Sequence, residues 1–320
     1  MVQFKLPTKS TFFSSDVISH LQMADEIFKY AMKWARLCGG EIFDKNYKFT
    51  NKKLLFTVIL LTLTSIINIY DIFLFKNDIV RCVFCLLSFS CEVQSFAKIY
   101  SFLWLHINFL NLRKQCEKFH EHFSSLTSSK MFERKFMIAA HVITILTILY
   151  ICTFILLVLY PMIFYLIMNE RILICGIELP FIDWKESWIG YAINLTHQMM
   201  CLFTFFCGSI FSLCVTICFI TCGVCQFDVL KILLDELNEL IVHNKDGNKY
   251  QEIQGNINFL AKTHANLIDF LQKMREIFAV YYFIEYIGLV FQKTVELFAI
   301  STVSDLSLII SIEKIINNSR

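Results

Sequence analysis

Long apolar runs, separated at intervals by short polar clusters, organise this chain. The clearest is 54–75, "LLFTVILLTLTSIINIYDIFLF", with Asn51, Lys52 and Lys53 before it and Lys76 after it. Four more follow: about 79–110, interrupted by Glu92 and Lys98, then 136–168, about 189–222 and about 277–304. Each is long enough to cross a hydrocarbon layer of roughly 30 Å as a helix, which takes about 20 residues. None shows the strict alternation of a barrel strand, and only helices or closed barrels satisfy their own backbone in lipid. The pattern therefore predicts an all-α polytopic membrane bundle with five transmembrane helices. Its parts are an N-terminal segment over 1–53, a transmembrane domain over 54–304 and a short tail over 305–320.

Composition agrees. Apolar residues make up 56% of the chain, mean hydropathy is +0.57, and 33 Phe stand against 9 Gly and 3 Pro, more apolar surface than one soluble core would use. The formal charge of +2 comes with no basic cluster interleaved with stacking aromatics, which sets nucleic-acid binding aside. Lys and Arg alternate between the connecting segments as nine (1–53), two (76–81), six (111–135), two (169–188), six (223–276) and two (after 304). Positive residues are retained on the cytoplasmic side, so the N-terminus and the 111–135 and 223–276 loops are expected inside. Two glycosylation sequons, at Asn194 and Asn317, fall at or beyond the expected outer surface, Asn194 very close to the lipid. The first 53 residues are polar, lack the apolar core of a signal peptide, and read as a cytosolic segment with a short helix near 20–37. An inside N-terminus, with no Asp-Arg-Tyr and no Asn-Pro-x-x-Tyr, argues against a G-protein-coupled receptor.

Ionisable residues within the runs are costly in lipid and are expected to face protein or water: Glu92, Lys98, Glu285, Lys293 and Glu296. Lys293 and Glu296, three apart, can pair on one helix face. Lys98 and Glu285 read as lying near inner helix ends, while Glu92 is better placed for a pocket or an interhelical hydrogen bond. The 13 cysteines lack zinc-site spacing, so no metal is expected, and most read as small buried thiols. Cys175 is the one worth testing for a disulfide, with Cys91 or Cys201 as its nearest conceivable partners. No phosphate loop, nucleophile elbow or metalloprotease motif is present; neither an enzyme nor a cofactor is expected. Residues 226–276 read as two amphipathic helices joined by "NKDGNK".

"GIELPFIDWKESWIGY" (176–191) lies in the expected second outer loop. Trp184, Trp188 and Tyr191 suit a headgroup-level aromatic belt. Its Pro180, Phe181, Asp183 and Trp184 also resemble the "LP(x)PF-D-W" segment of insect odorant receptors. The cytoplasmic stretch "INFLAKTHANLIDFLQKMREIFAVYYFIEY" (257–286), with His264 and Phe270, resembles that family's stretch before its fifth span. The order of loops matches as well.

The resemblance implies an odorant receptor subunit in the plasma membrane of olfactory sensory neurons. Such a subunit binds a small volatile ligand and gates a cation channel in a tetramer with a co-receptor. His264 and Phe270 then fall in the intracellular bundle that anchors neighbouring subunits. A ligand cavity would draw on Phe84, Ser88 and Glu92, which share one helix face at i, i+4 and i+8. Tyr150, Phe154 and Tyr160 would come from the third run, and His197, Met200 and Phe203 from the fourth. The family has seven spans. Here only about seven apolar residues follow Asp305, too few to cross, so a chain cut short of the last two spans is expected. A gustatory-type chemoreceptor is the nearest alternative and a membrane transporter a more distant one. The charge alternation predicts that an epitope at the N-terminus is stained only in permeabilised cells, and one inserted at 169–188 in intact cells; the reverse pattern would invert the topology.

Overall fold

In the computed structural model, residues 20–40, 51–123, 129–243 and 249–318 are described, and within them every regular element is helical. Helix α1 is His20–Leu37, α2 Lys52–Leu74 and α3 Ile79–Ile99, followed by a π-helical turn, Tyr100–Trp104. Helices α4 (His106–Phe123), α5 (Ser129–Met168), α6 (Trp188–His243) and α7 (Tyr250–Asn318) complete the chain. The expected all-α polytopic fold is what is seen, and α1 lies where the sequence places a short helix. Four helical segments among the described residues are long and apolar enough to cross a membrane: 52–74, 79–104, 130–168 and 188–243. The fifth run, 277–304, is helical throughout as part of α7, where Glu285, Lys293 and Glu296 dilute its apolar character.

Local chemistry sets the helix ends. Asn51 caps α2 by accepting the Lys53 N–H at 3.0 Å, and Asp78 caps α3 by accepting the Arg81 N–H at 3.2 Å. Between them the Asp78 N–H returns to the Phe75 carbonyl at 2.7 Å, closing a tight α2–α3 hairpin. Helix α5 carries Pro161 in its interior and stops at Asn169, whose φ of 55° is the left-handed conformation common just past a helix end. At 1.5 Å per residue, the 56 residues of α6 extend about 84 Å and the 69 of α7 about 104 Å, far beyond a bilayer core. The helices read over 226–276 lie on either side of 244–248 and continue the fourth and fifth runs without a break.

The chain forms two compact units. The first takes its described residues from 20–40, 101–151 and 209–279. Aromatic rings fill its centre: Phe109, fully buried, stacks on Phe102 at 5.0 Å and meets Phe278 at 5.5 Å and Phe219 at 6.1 Å. Phe28 of α1 joins them through Phe219 at 5.3 Å. Arg113 ties α1 to α4, donating to Asp25 at 2.7 Å while its guanidinium lies over the Phe28 ring. Lys135 pairs with Asp228 in the same unit.

The second unit takes its described residues from 51–100, 152–208 and 280–318. On its α2 the buried face includes Thr64, Asn68 and Asp71, whereas Leu55, Phe56, Ile59, Leu63, Ile66 and Phe73 are exposed. Polar groups inside and apolar groups outside suit a helix whose solvent is lipid. Replacing Phe109 with Ala is expected to cost about 3 to 5 kcal/mol, because three ring partners lose their contact in a filled core. Thermal unfolding of the detergent-solubilised protein measures this, and a loss below about 1 kcal/mol would show that the ring cluster is not the core of its unit.

Candidate functional site

Within the second unit a cavity of about 260 Å³ is walled by α2, α3, α5, α6, α7 and the 169–187 loop. Helix α3 contributes Phe84, Leu87, Ser88, Cys91, Glu92 and Ser95, one face repeating every three to four residues. Helix α6 brings Gln198, Cys201, Phe205 and Phe206, α7 brings Gln292 and Glu296, and Ile174, Cys175 and Ile177 come from the loop. The lining is mostly apolar with a few polar groups, the composition of a small-molecule site.

The loop is fixed by side chains rather than by a strand. Gln198 Oε1 accepts the N–H groups of Ile174 (2.9 Å) and Cys175 (3.1 Å). Its Nε2 donates to the carbonyls of Cys175 (3.1 Å) and Ile177 (2.7 Å). All four hydrogen-bonding positions of the amide are thereby used on backbone. Asp71 accepts the Glu178 N–H at 2.7 Å, and Asn194 accepts the Leu179 N–H at 2.7 Å while donating to the Gly190 carbonyl at 3.0 Å. Between these anchors Gly176 lies against α3 so closely that a Cβ there would meet the Phe84 Cβ at 2.9 Å.

The "LPFIDW" stretch has a geometric role. Leu179 to Ile182 form a turn with Pro180 at its second position and Phe181, φ 64°, at its third, the arrangement of a type II turn. The Phe181 side chain is fully exposed. Asp183 then accepts the N–H groups of Lys185 (2.9 Å) and Glu186 (3.1 Å), shaping the turn that leads into α6. Trp184 is half-buried, with the Lys185 ammonium 5.5 Å from its ring centroid. Gly190 in the first turn of α6 has no room for a side chain, since the Asp183 carbonyl occupies that space.

Of the residues expected around a ligand, Phe84, Ser88 and Glu92 line the cavity together. Phe154 stands behind it, 5.5 Å from the ring of the wall residue Phe206 and 6.1 Å from Phe203. His197 and Met200 open instead onto a shallow depression along one side of α6, and the His197 Nε2 lies 3.2 Å from the Thr64 hydroxyl. Tyr160 is exposed beside Phe164, and Tyr150 belongs to the first unit. Sequence reasoning did not reach Gln198, Gln292, Phe205 or Phe206; the signal available for Gln198 was a polar residue about three turns into a long apolar helix.

The ionisable residues find partners within this unit. Lys293 and Glu296 pair at 2.6 Å, as their spacing implies. Lys98, buried in the last turn of α3, pairs with Glu285 of α7 at 2.8 Å and lies 4.8 Å from the Phe205 ring centroid, so the two form an interhelical pair. Cys91, Cys175 and Cys201 all line the cavity as free thiols. Desolvation, with Cys91 and Cys201 adding to it, pushes the Cys175 thiol up to about 12, so it is protonated and a weak nucleophile at neutral pH. Asn194 is buried and committed to two backbone groups, so a glycan there would have to displace both; Asn317 lies in α7, its side chain outside the described residues. In the first unit Phe270 is fully buried and His264 is exposed on α7.

The family model described as 7tm Odorant receptor matches residues 78–313, about three quarters of the chain and every cavity-lining residue from α3 onward. The chain belongs to the odorant receptor family. It is accordingly a membrane protein of a chemoreceptor family, and that family is one of receptors and channels rather than enzymes. A search of the curated proteins finds no match.

Replacing Gln198 with Leu removes four hydrogen bonds and leaves backbone groups of the receptor's loop unpaired, a loss of about 3 kcal/mol in loop anchoring. Hydrogen exchange at the Ile174 and Cys175 amides is expected to accelerate at least about tenfold, with amides in the first unit unaffected. Unchanged exchange at those two amides would mean that Gln198 does not hold the loop. Gly176→Val is expected to disturb the same loop by forcing it off α3.

Proposed function

We propose that the chain is an odorant receptor subunit that takes a small volatile ligand into the cavity of its second unit and gates a cation channel together with a co-receptor subunit. The observation that carries this reading is the cavity: mostly apolar, bounded by five helices, covered by a clamped loop and contained in a chain of this family. An apolar ligand of low molecular weight gains its affinity from such a wall, and the few polar groups orient it. The plasma membrane of olfactory neurons, with the N-terminus and the 223–276 segment inside, fits the charge alternation. On α7, Ile257, His264 and Ile268 are exposed and offer a face for a neighbouring subunit, whereas Phe270 supports that face from within its own unit.

Coupling to a channel follows from the helix architecture. Helices α6 and α7 each contribute cavity-lining residues and extend for many turns beyond them. A ligand that favours one packing of these helices shifts the equilibrium between their arrangements by its differential affinity.

Co-expression with a co-receptor in oocytes, followed by a panel of volatile ligands, tests the reading. A ligand-evoked cation current is expected, and Phe206→Ala should raise the half-maximal ligand concentration by about tenfold through loss of apolar contact. Surface delivery of the complex without any ligand-evoked current across the panel, and without ligand binding to the complex, would overturn it.

A further inference from the structure

The cavity wall holds an acid whose hydrogen bonding is incomplete. Glu92 is only 5% exposed. Its Oε1 accepts the Asn68 amide at 2.9 Å, while Oε2 is buried and completes no hydrogen bond. The Ser65 hydroxyl interacts with the carboxylate but does not complete a hydrogen bond to it either. A carboxylate half-satisfied inside a membrane-spanning unit is expensive, and the cost falls when a donor, above all a cationic one, arrives.

Three cations of this unit are engaged elsewhere. Lys98 is paired with Glu285 and Lys293 with Glu296, itself a residue of the cavity wall. Arg81 bonds Asp78 and Glu178. The wall therefore contains two carboxylates, Glu92 and Glu296, and no Lys, Arg or His. The other residues of the wall are apolar or neutral, with aromatic faces from Phe84, Phe205 and Phe206.

We propose that this receptor is tuned to a small hydrophobic amine, whose ammonium group pairs with Glu92 while its apolar body fills the cavity between α3 and α6. This rests on the reading of the cavity as the ligand site and adds the chemical class of the ligand. Size is set by volume: an apolar cavity of roughly 150 Å³ holds a benzene ring. The observed 260 Å³ thus admits a monoamine of roughly ten non-hydrogen atoms. The ammonium supplies N–H donors to the Glu92 carboxylate, with the Ser88 hydroxyl, four residues earlier on the same helix face, as a further acceptor. An alcohol of the same shape fills the cavity equally well but brings one neutral donor and leaves the acid uncompensated. Aromatic rings in the wall add cation–π attraction for an ammonium and none for the alcohol.

Phenethylamine and phenethyl alcohol share their shape and differ in this one group. Their binding to the full chain in lipid nanodiscs, with empty nanodiscs subtracted, is the experiment. The wild type is expected to bind the amine at least about tenfold more tightly than the alcohol. Glu92→Gln should lose about that factor for the amine and hold the alcohol within about twofold. Equal or weaker binding of the amine by the wild type overturns the proposal while leaving the receptor reading intact if the alcohol binds. Failure of the wild type to bind either compound, or any of the volatile panel, overturns both. Because the wild-type ratio needs no variant, a misfolded Glu92→Gln protein leaves the test decisive. Glu296→Gln, whose acid already has Lys293, is expected to change the amine affinity by less than about threefold.

Discussion

One side-chain amide holds the 169–187 loop to the membrane helices. Gln198 reads the backbone of 174–177 as a neighbouring strand would, with two acceptor and two donor contacts. In a loop over a membrane-embedded cavity this matters more than in water, because unpaired amides there have poor alternatives. Asp71 and Asn194 extend the same device to residues 178 and 179. With the loop fixed, Ile174, Cys175 and Ile177 become wall residues and the space beneath them becomes a defined cavity. The left-handed Phe181 and the crowded Gly190 are downstream consequences: the chain has to turn sharply to re-enter α6 directly beside its own anchor.

The two units use opposite packing logics. In the first, Phe102, Phe109, Phe219 and Phe278 bury rings against each other, and the ion pairs Arg113–Asp25 and Lys135–Asp228 lie around them. In the second, polar residues face inward, and aliphatic and aromatic side chains are exposed along α2 and the C-terminal part of α5. Thr64, Asn68 and Asp71 would be an error in a soluble helix core and are reasonable here, since each meets a polar partner from another segment. The close approach of α7 to α3 at Gly288 follows the same rule: a Cβ there would run into the Gln94 amide, so only a residue without a side chain fits.

Parts of the site were legible because helical periodicity is rigid. Phe84, Ser88 and Glu92 had to share a face once 79–99 was a helix, and an acid on that face had to meet protein. Tyr150, Tyr160 and Met200 were legible only as aromatic or soft residues in apolar runs; in lipid the outward side of a helix is as apolar as the inward side, so composition gives no direction. Gln198 was missed for the converse reason. Its importance lies in the backbone of a loop more than 20 residues away, and no spacing rule connects the two. Lys98 and Glu285 form an ion pair across 187 positions of sequence, and no local spacing connects them.

The sequence by itself determined the helical class, the approximate extents of the runs, α1, the Lys293–Glu296 pair and the family resemblance. All of these depend on local spacing, charge bias or length against a bilayer, and such quantities are written in consecutive residues. Tertiary structure alone decided that α6 and α7 run unbroken past the apolar limits, that Gln198 clamps the 174–177 backbone, and that Glu92 has one oxygen without a completed hydrogen bond. These depend on which helix face meets which loop, and the burial and hydrogen-bond demands that select that packing act between residues far apart in the chain.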